Sequence, residues 1–217
     1  MAKTTKSESQ TRREQRRLQH QDLSRSQLLD AAEEVFGRKG FHETTLKEVA
    51  DLAGFSVGSV YSFFESKDDL FRQIFLRRGE QFMSGMQSLL TDDGSAPLRQ
   101  LRSLARYQVD FFRSNPHFGR MFLRYSSIVS LVAQQEQVDP AVSERYERAM
   151  TLQSELFRRG QKSGDMCEGD PLVLSLLFSG LVSSFQAVDP AVISDDVDAD
   201  ALPVDDFLAL VTRAFSA

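Results

Sequence analysis

The sequence predicts an all-helical chain in two parts, and three observations carry that prediction. Apolar residues recur at three- and four-residue spacing along most of its length. Four times a residue suited to an N-cap stands directly before proline: Asn115-Pro116, Asp139-Pro140, Asp170-Pro171 and Asp189-Pro190. Proline fits the first helical position, where no backbone N–H is needed, so each pair marks a helix start. No alternating β-branched run supports a sheet.

Composition narrows the class. At 217 residues, with 41% hydrophobic and 26% charged, the chain is long enough for a real core and ordinary for a globular protein. One cysteine excludes an intramolecular disulfide and a cysteine-rich metal site, and suits a reducing, cytoplasmic setting. The opening MAKTTKSESQTRREQRR has no apolar core, so no signal peptide is expected. Net charge is −5, yet residues 1–30 carry 7 Lys+Arg against 4 Asp+Glu. A basic end on an acidic body can meet phosphate locally.

Residues 1–23 read as a basic, disordered arm, helical at most near its end; Arg12, Arg13, Arg16 and Arg17 would then share a face. Such a run is either a solvated surface or an arm for a DNA groove. The first firm helix is expected from Ser24, with Gln27 completing a capping box and Leu28, Ala32, Val35 and Phe36 facing inward. Gly40-Phe41 ends it.

Next comes TLKEVADLAGFSVGSVYSFF, Thr45 to Phe64. Thr45 and Glu48 form a capping box, and Leu46, Val49, Ala50 and Ala53 recur at helical spacing. Gly54 supplies a left-handed stop, and Ser56 caps a second helix carrying Val60 and Phe64 inward. Ala50 is small enough for two helices to cross closely. Together these describe a helix-turn-helix, which lays its second helix in the DNA major groove. The same letters offer a rival: Gly54-Phe55-Ser56-Val57-Gly58 fits the G-x-S-x-G elbow of a serine hydrolase. That elbow needs a buried strand before the serine and an acid, then a histidine, after it. Lys47, Glu48 and Asp51 stand at helical spacing instead, and His117 is the only downstream histidine. Helix-turn-helix is the better reading.

Ser66 caps a long fourth helix with Asp68 and Asp69 at its positive end, reaching the loop at Thr91–Gly94. Further helices are expected at about 97–114, 116–132, 140–163, 171–187 and 203–215, with an acidic loop or short turn over 189–202. Pro171 to Val188 is uncharged throughout, near the lower limit for a bilayer span. Ser175, Ser179, Ser183 and Gln186 share a stripe on it, which favours a subunit-interface helix over a core helix or a membrane segment. Leu174, Leu177, Phe178, Leu181 and Phe185, with Phe207, Leu210 and Val211 of the last helix, are the candidate interface residues.

Residues 24–71, above all LLDAAEEVFGRKGFHETTLKEVADLAGFSVGSVYSFFESKDDLF, resemble the TetR family of bacterial transcriptional regulators. That stretch covers about a fifth of the chain; the remainder matches the family only as a helical region of suitable length. The resemblance implies a homodimeric repressor with a helix-turn-helix domain over 24–66 and a ligand-binding and dimerisation domain over 67–217. It implies phosphate contacts at Thr44, Thr45, Tyr61 and Lys67, and base reading by Ser56, Val57, Gly58, Ser59 and Ser62. Hydroxyls and free N–H groups at helix N-termini are sound phosphate ligands. The weaker alternatives are a half-buried aromatic for Tyr61 and a plain surface lysine for Lys67. Phe63 stands where many members have histidine, so it is expected to pack. The recognition helix lacks Arg, Lys, Gln and Asn, leaving direct readout to small hydroxyls, Val57 and close backbone approach at Gly58.

The resemblance also implies a ligand cavity. Candidates are Phe82, Met86, Phe111, Phe112, Phe118 and Met121, with Tyr125, Met150, Phe157 and Phe178, although bundle core is the more ordinary role for each. His117 is either a polar ligand contact or an exposed first-turn residue. The expected partners are a palindromic duplex operator, a second copy of the chain and a small apolar or aromatic effector. Nothing calls for a cofactor, a metal or a membrane. The alternatives are a ligand-independent regulator with a filled core, a serine hydrolase using Ser56, and a helical protein-interaction module.

Overall fold

The computed structural model describes residues 4–91, 94–125, 140–196 and 199–217. Ten helices are defined among them: α1 (Thr4–Lys39), α2 (Leu46–Ala53), α3 (Val57–Phe63), α4 (Lys67–Leu90), α5 (Pro97–Arg113), α6 (Pro116–Tyr125), α7 (Pro140–Ser163), α8 (Pro171–Val188), α9 (Pro190–Ile193) and α10 (Val204–Phe215). The only β-type contact among the described residues is an isolated bridge, Met166 with Ser216. The chain is all-α. The expected continuation of α6 to about 132 lies outside the described residues.

Two compact units divide the chain, Met1–Ile74 and Phe75–Ala217. The head thus reaches beyond the expected 24–66, because Leu70 and Ile74 on the opening turns of α4 are fully buried in it. Their companions are Leu28, Ala32, Phe36, Val49, Ala50 and Val60, each fully buried, and Phe64. Phe36, Phe41 and Phe71 form a ring triangle with centroids 5.2–5.9 Å apart. The inward stripes read from the sequence hold.

The first helix differs from expectation. Ser24 does not cap it; α1 is continuous from Thr4, and Ser24 is a buried mid-helix residue. Residues 4–36 contain neither glycine nor proline and are rich in Gln, Glu, Arg and Leu, so nothing interrupts the propagating backbone ladder. Arg13, Arg16 and Arg17 are exposed on this extension.

In the second unit, Leu101, Leu104, Met86, Leu156, Phe157, Phe178, Leu208 and Val211 are fully buried. Phe215 packs against both Phe157 and Phe178, and Phe185 stacks on Phe207 at 4.4 Å. Two of the Asx-proline signals act as read: Asp170 accepts from the N–H groups of Leu172 and Val173, and Asp189 from that of Ala191. Asn115 instead turns its amide back to the Phe111 carbonyl. Asp139 lies outside the described residues.

Asp189 does more than cap. Its carboxylate is wholly buried, accepts from Arg113 Nε at 2.7 Å and from the Leu202 N–H at 3.1 Å, while Arg113 also donates to the Leu202 carbonyl. One ion pair therefore ties the end of α5 to both ends of the acidic 189–202 segment. The helix α8 is long and apolar enough, by length and composition, to cross a bilayer. Its polar stripe is engaged within the unit: Ser175 meets Ser154 of α7, and Ser179 donates to Gln153 of the same helix.

Candidate functional site

The head builds an exposed surface from local capping. Thr45 caps α2, accepting from the Glu48 N–H while the Glu48 carboxylate accepts from the Thr45 N–H. Glu48 is held at a pKa of about 2 by its hydrogen bond from Lys39, and further by the Thr45 N–H and hydroxyl. Gly54 stops α2 at φ 74°, the left-handed region that favours glycine. Ser56 caps α3 through the Ser59 N–H, and its hydroxyl lies 2.9 Å from that of Ser59. Val60 and Phe64 anchor α3 in the core.

What remains outside is the opposite face. Ser56, Gly58, Tyr61 and Ser62 are exposed, and Val57 and Ser59 half-exposed. A Cβ built on Gly58 would meet nothing closer than the Ser56 hydroxyl at 3.7 Å. Tyr61 is 58% exposed, and its phenol has no hydrogen bond among the described residues. Ser56 sits between two helices with no strand before it, so the hydrolase elbow lacks its defining geometry.

Two predicted contacts stand elsewhere. Thr44 is 1% exposed and donates its hydroxyl to the Gly40 carbonyl. Lys67 Nζ donates to the carbonyls of Phe41 (2.8 Å) and Thr44 (3.0 Å) and lies 4.5 Å from the Phe41 ring centre. A cation at a helix N-terminus opposes the dipole, and these carbonyls supply the compensation. Thr45 is exposed but its hydroxyl serves the capping box. Phe63 lies beside Phe64, ring centres 6.5 Å apart.

In the second unit a cavity of ≈ 150 Å³ opens between α4, α5, α6, α7 and α8. Of the residues expected there, Phe82, Phe112, Phe118 and Met150 line it. Met86, Met121, Phe157 and Phe178 are buried core instead. Phe111 packs on Phe82 and Phe112 behind the wall, and His117 meets Arg120. Nothing is described of the Tyr125 side chain. Sequence reading missed Phe75, Met83, Tyr146 and, most of all, the amides Gln108, Gln153 and Gln186. Gln108 left a signal: it is a polar side chain within the buried stripe of α5, beside Leu104, Ala105, Val109 and Phe112. The serine stripe of α8 favours a subunit-interface helix in the sequence, but Ser179, Ser183 and Gln186 line this cavity. Burial raises the Tyr146 phenol above its ordinary pKa, keeping it neutral.

Of the candidate interface residues, Leu174, Phe178, Phe207 and Val211 are buried within the chain, and Leu181 and Phe185 partly so. Leu177 and Leu210 remain about half exposed, as do Leu172, Val173 and Val188.

Comparison with known proteins accords with the head. Residues 28–74 match the model of bacterial regulatory proteins, tetR family. The chain is 46% identical over 56 residues to the uncharacterized HTH-type transcriptional regulator YfiR of Bacillus subtilis, covering 26% of this chain and 27% of that protein. It is 39% identical over 80 residues to the HTH-type transcriptional activator FasR of Mycolicibacterium smegmatis, covering 36% of each. These alignments span well under two thirds of either relative. The fold extends further: the ketosteroid transcriptional regulator KstR2 of Mycobacterium tuberculosis superposes with a TM-score of 0.71 at 16% identity, over 89% of this chain and 95% of that one.

Proposed function

We propose that this chain, a TetR-family transcriptional regulator with a DNA-binding helix-turn-helix, is a homodimeric repressor released from a palindromic operator by a small, largely apolar or aromatic effector. One observation carries the DNA-reading part. A helix held from below by Val60 and Phe64 turns Ser56, Gly58, Tyr61 and Ser62 outward, with no acidic group among them and Tyr61 the single large side chain. Small hydroxyls and a Cβ-free position let the helix approach base edges and phosphates closely. Tyr61 brings an unengaged phenol for a phosphate. Thr44 and Lys67 act at one remove, holding the turn before α2 so that Thr45 and the α2 N-terminus face the duplex.

Homodimerisation accounts for the leucines and valines that α8 and α10 leave uncovered, which a second copy would bury by symmetry. Effector response accounts for a cavity in the second unit, and α4 is the continuous helix shared by both units. Two heads must meet half-sites about 34–36 Å apart, or a multiple of that, so a small change in α4 suffices to release them. Coupling of this kind is typically about 1–3 kcal/mol, set by the effector's difference in affinity for the two states. A DNA-binding regulator of this type works in the cytoplasm.

Selection of bound duplexes from a random pool tests the reading. The expected product is a two-fold symmetric site whose binding weakens steeply with salt. Recovery of no symmetric site, or salt-independent binding, would sink it.

A further inference from the structure

Three glutamines of the cavity wall are buried almost completely: Gln108 at 5% exposure, Gln153 and Gln186 at 2% each. The Gln108 amide has no hydrogen bond among the described residues. Gln153 uses its carbonyl for Ser179, and Gln186 uses its N–H for the Gln108 backbone carbonyl, which leaves Gln153 Nε2 and Gln186 Oε1 unengaged. All three line the cavity from different helices, α5, α7 and α8. One amide without a partner and two only half engaged leave hydrogen-bonding groups open to an otherwise apolar cavity, which is not how a simple core is lined. Together they present donors and acceptors to the cavity.

The rest of the lining fixes the occupant's character. Phe75, Phe82, Phe112, Phe118 and Phe122 supply flat apolar walls. Arg145 is the one charged lining residue among those described. It donates to the Ala141 carbonyl at 3.1 Å and pairs at 3.6 Å with Glu80, which is exposed. A cation would meet no carboxylate in the wall, and an anion would compete with Glu80. A volume of ≈ 150 Å³ admits one substituted ring, roughly six to ten non-hydrogen atoms.

We propose that the effector is a small, uncharged ring compound bearing a hydrogen-bonding group, which the amides of Gln108, Gln153 and Gln186 recognise. This rests on the reading of the chain as effector-responsive, but binding is measurable without DNA. Titration calorimetry on the full chain would compare benzamide, benzoate, benzylammonium and ethylbenzene, which match in size and differ in charge and hydrogen bonding. Benzamide is expected to bind at least about tenfold tighter than the other three. Gln108→Leu removes no hydrogen bond between described residues, so its melting temperature should not fall while the benzamide preference falls about tenfold. Gln153→Leu should lose the same preference from a second helix. Equal binding of ethylbenzene, a preference for benzoate or benzylammonium, binding of none of the four, or a lowered melting temperature in Gln108→Leu would each overturn the proposal. Failure of the chain to bind any operator would instead count against the regulator reading and leave this ranking intact.

Discussion

Two helices of this chain leave a face uncovered, and they do so with opposite chemistry. The uncovered face of α3 is serine, glycine and one tyrosine; that of α8 is mainly leucine and valine, with Ser184 and Ala187. Both helices are capped by a side chain at the residue before them, Ser56 and Asp170, and both bury an aromatic beneath, Phe64 and Phe178. Support is therefore the same, and only the outer face differs. The hydroxyls of Ser56, Ser59 and Ser62 already bond within the helix, so α3 gains little from an apolar protein partner but keeps acceptor and donor capacity for phosphate and base edges. Exposed leucines gain by leaving water, about 1.5–3 kcal/mol for each fully buried side chain. One face suits a charged duplex and the other a second protein surface.

Paired Leu177→Asp and Leu210→Asp should break the comparison on the α8 side most strongly. Each leucine is about half exposed in the single chain, so the monomer should stay folded. At the proposed two-fold interface symmetry doubles the loss, and the dimer dissociation constant should rise by at least about a thousandfold. Light scattering across a dilution series reads this; an unchanged dimer would place the interface elsewhere. On the α3 side, Phe64→Ala removes the buried anchor and should cost about 3–5 kcal/mol of head stability. Hydrogen exchange of α3 amides would show it, and full protection in the variant would mean that α3 is held by something other than this ring.

Gly58→Ala sharpens the contrast more finely. With only an ordinary van der Waals contact to the Ser56 hydroxyl at its Cβ position, alanine should leave the head as stable or improve it by about 0.5–1 kcal/mol. Operator affinity should nevertheless fall about tenfold if the backbone at Gly58 must approach the bases. Unchanged affinity would remove Gly58 from the contact surface. The smallest effect is acid sensitivity at the start of α2. Glu48 titrates near 2 in the fold against 4.5 ordinarily, because Lys39 and Thr45 stabilise its charged form. A depressed carboxylate pKa gives stabilisation that is full above 4.5 and lost as pH falls toward 2. Glu48→Gln should flatten that slight loss in thermal scans between those pH values. A wild-type slope retained in the variant would assign it to other carboxylates.

Legibility followed the distance over which a signal acts. The capping box at Thr45, the left-handed Gly54 and the caps at Ser56, Asp170 and Asp189 all pair groups within a few residues. Such contacts form whenever the local backbone turns, and the sequence names both partners. Lys67 was legible only as an anomaly. Its charge opposes the helix dipole, and the carbonyls that explain it belong to residues 26 and 23 positions earlier. Thr44 likewise reads as a surface hydroxyl until the fold buries it beneath Gly40. The α1 extension was missed for a different reason. A capping pair at Ser24 is a competent start only when nothing upstream is helical, and here an uninterrupted run of helix formers precedes it.

By itself the sequence determined an all-helical chain, the helix-turn-helix with its turn, the face of α3 turned outward, and the helix starts marked by aspartate and proline. These rest on backbone sterics and on hydrogen bonds a few residues long. Only the tertiary structure decided which phenylalanines border empty space and which fill the core, for the two are identical in spacing and hydrophobicity. It also decided that Gln108, Gln153 and Gln186 share one cavity wall, since that follows from how α5, α7 and α8 pack and not from any one helix. A cavity is the volume left over when several helices meet, and no single stretch of chain contains it.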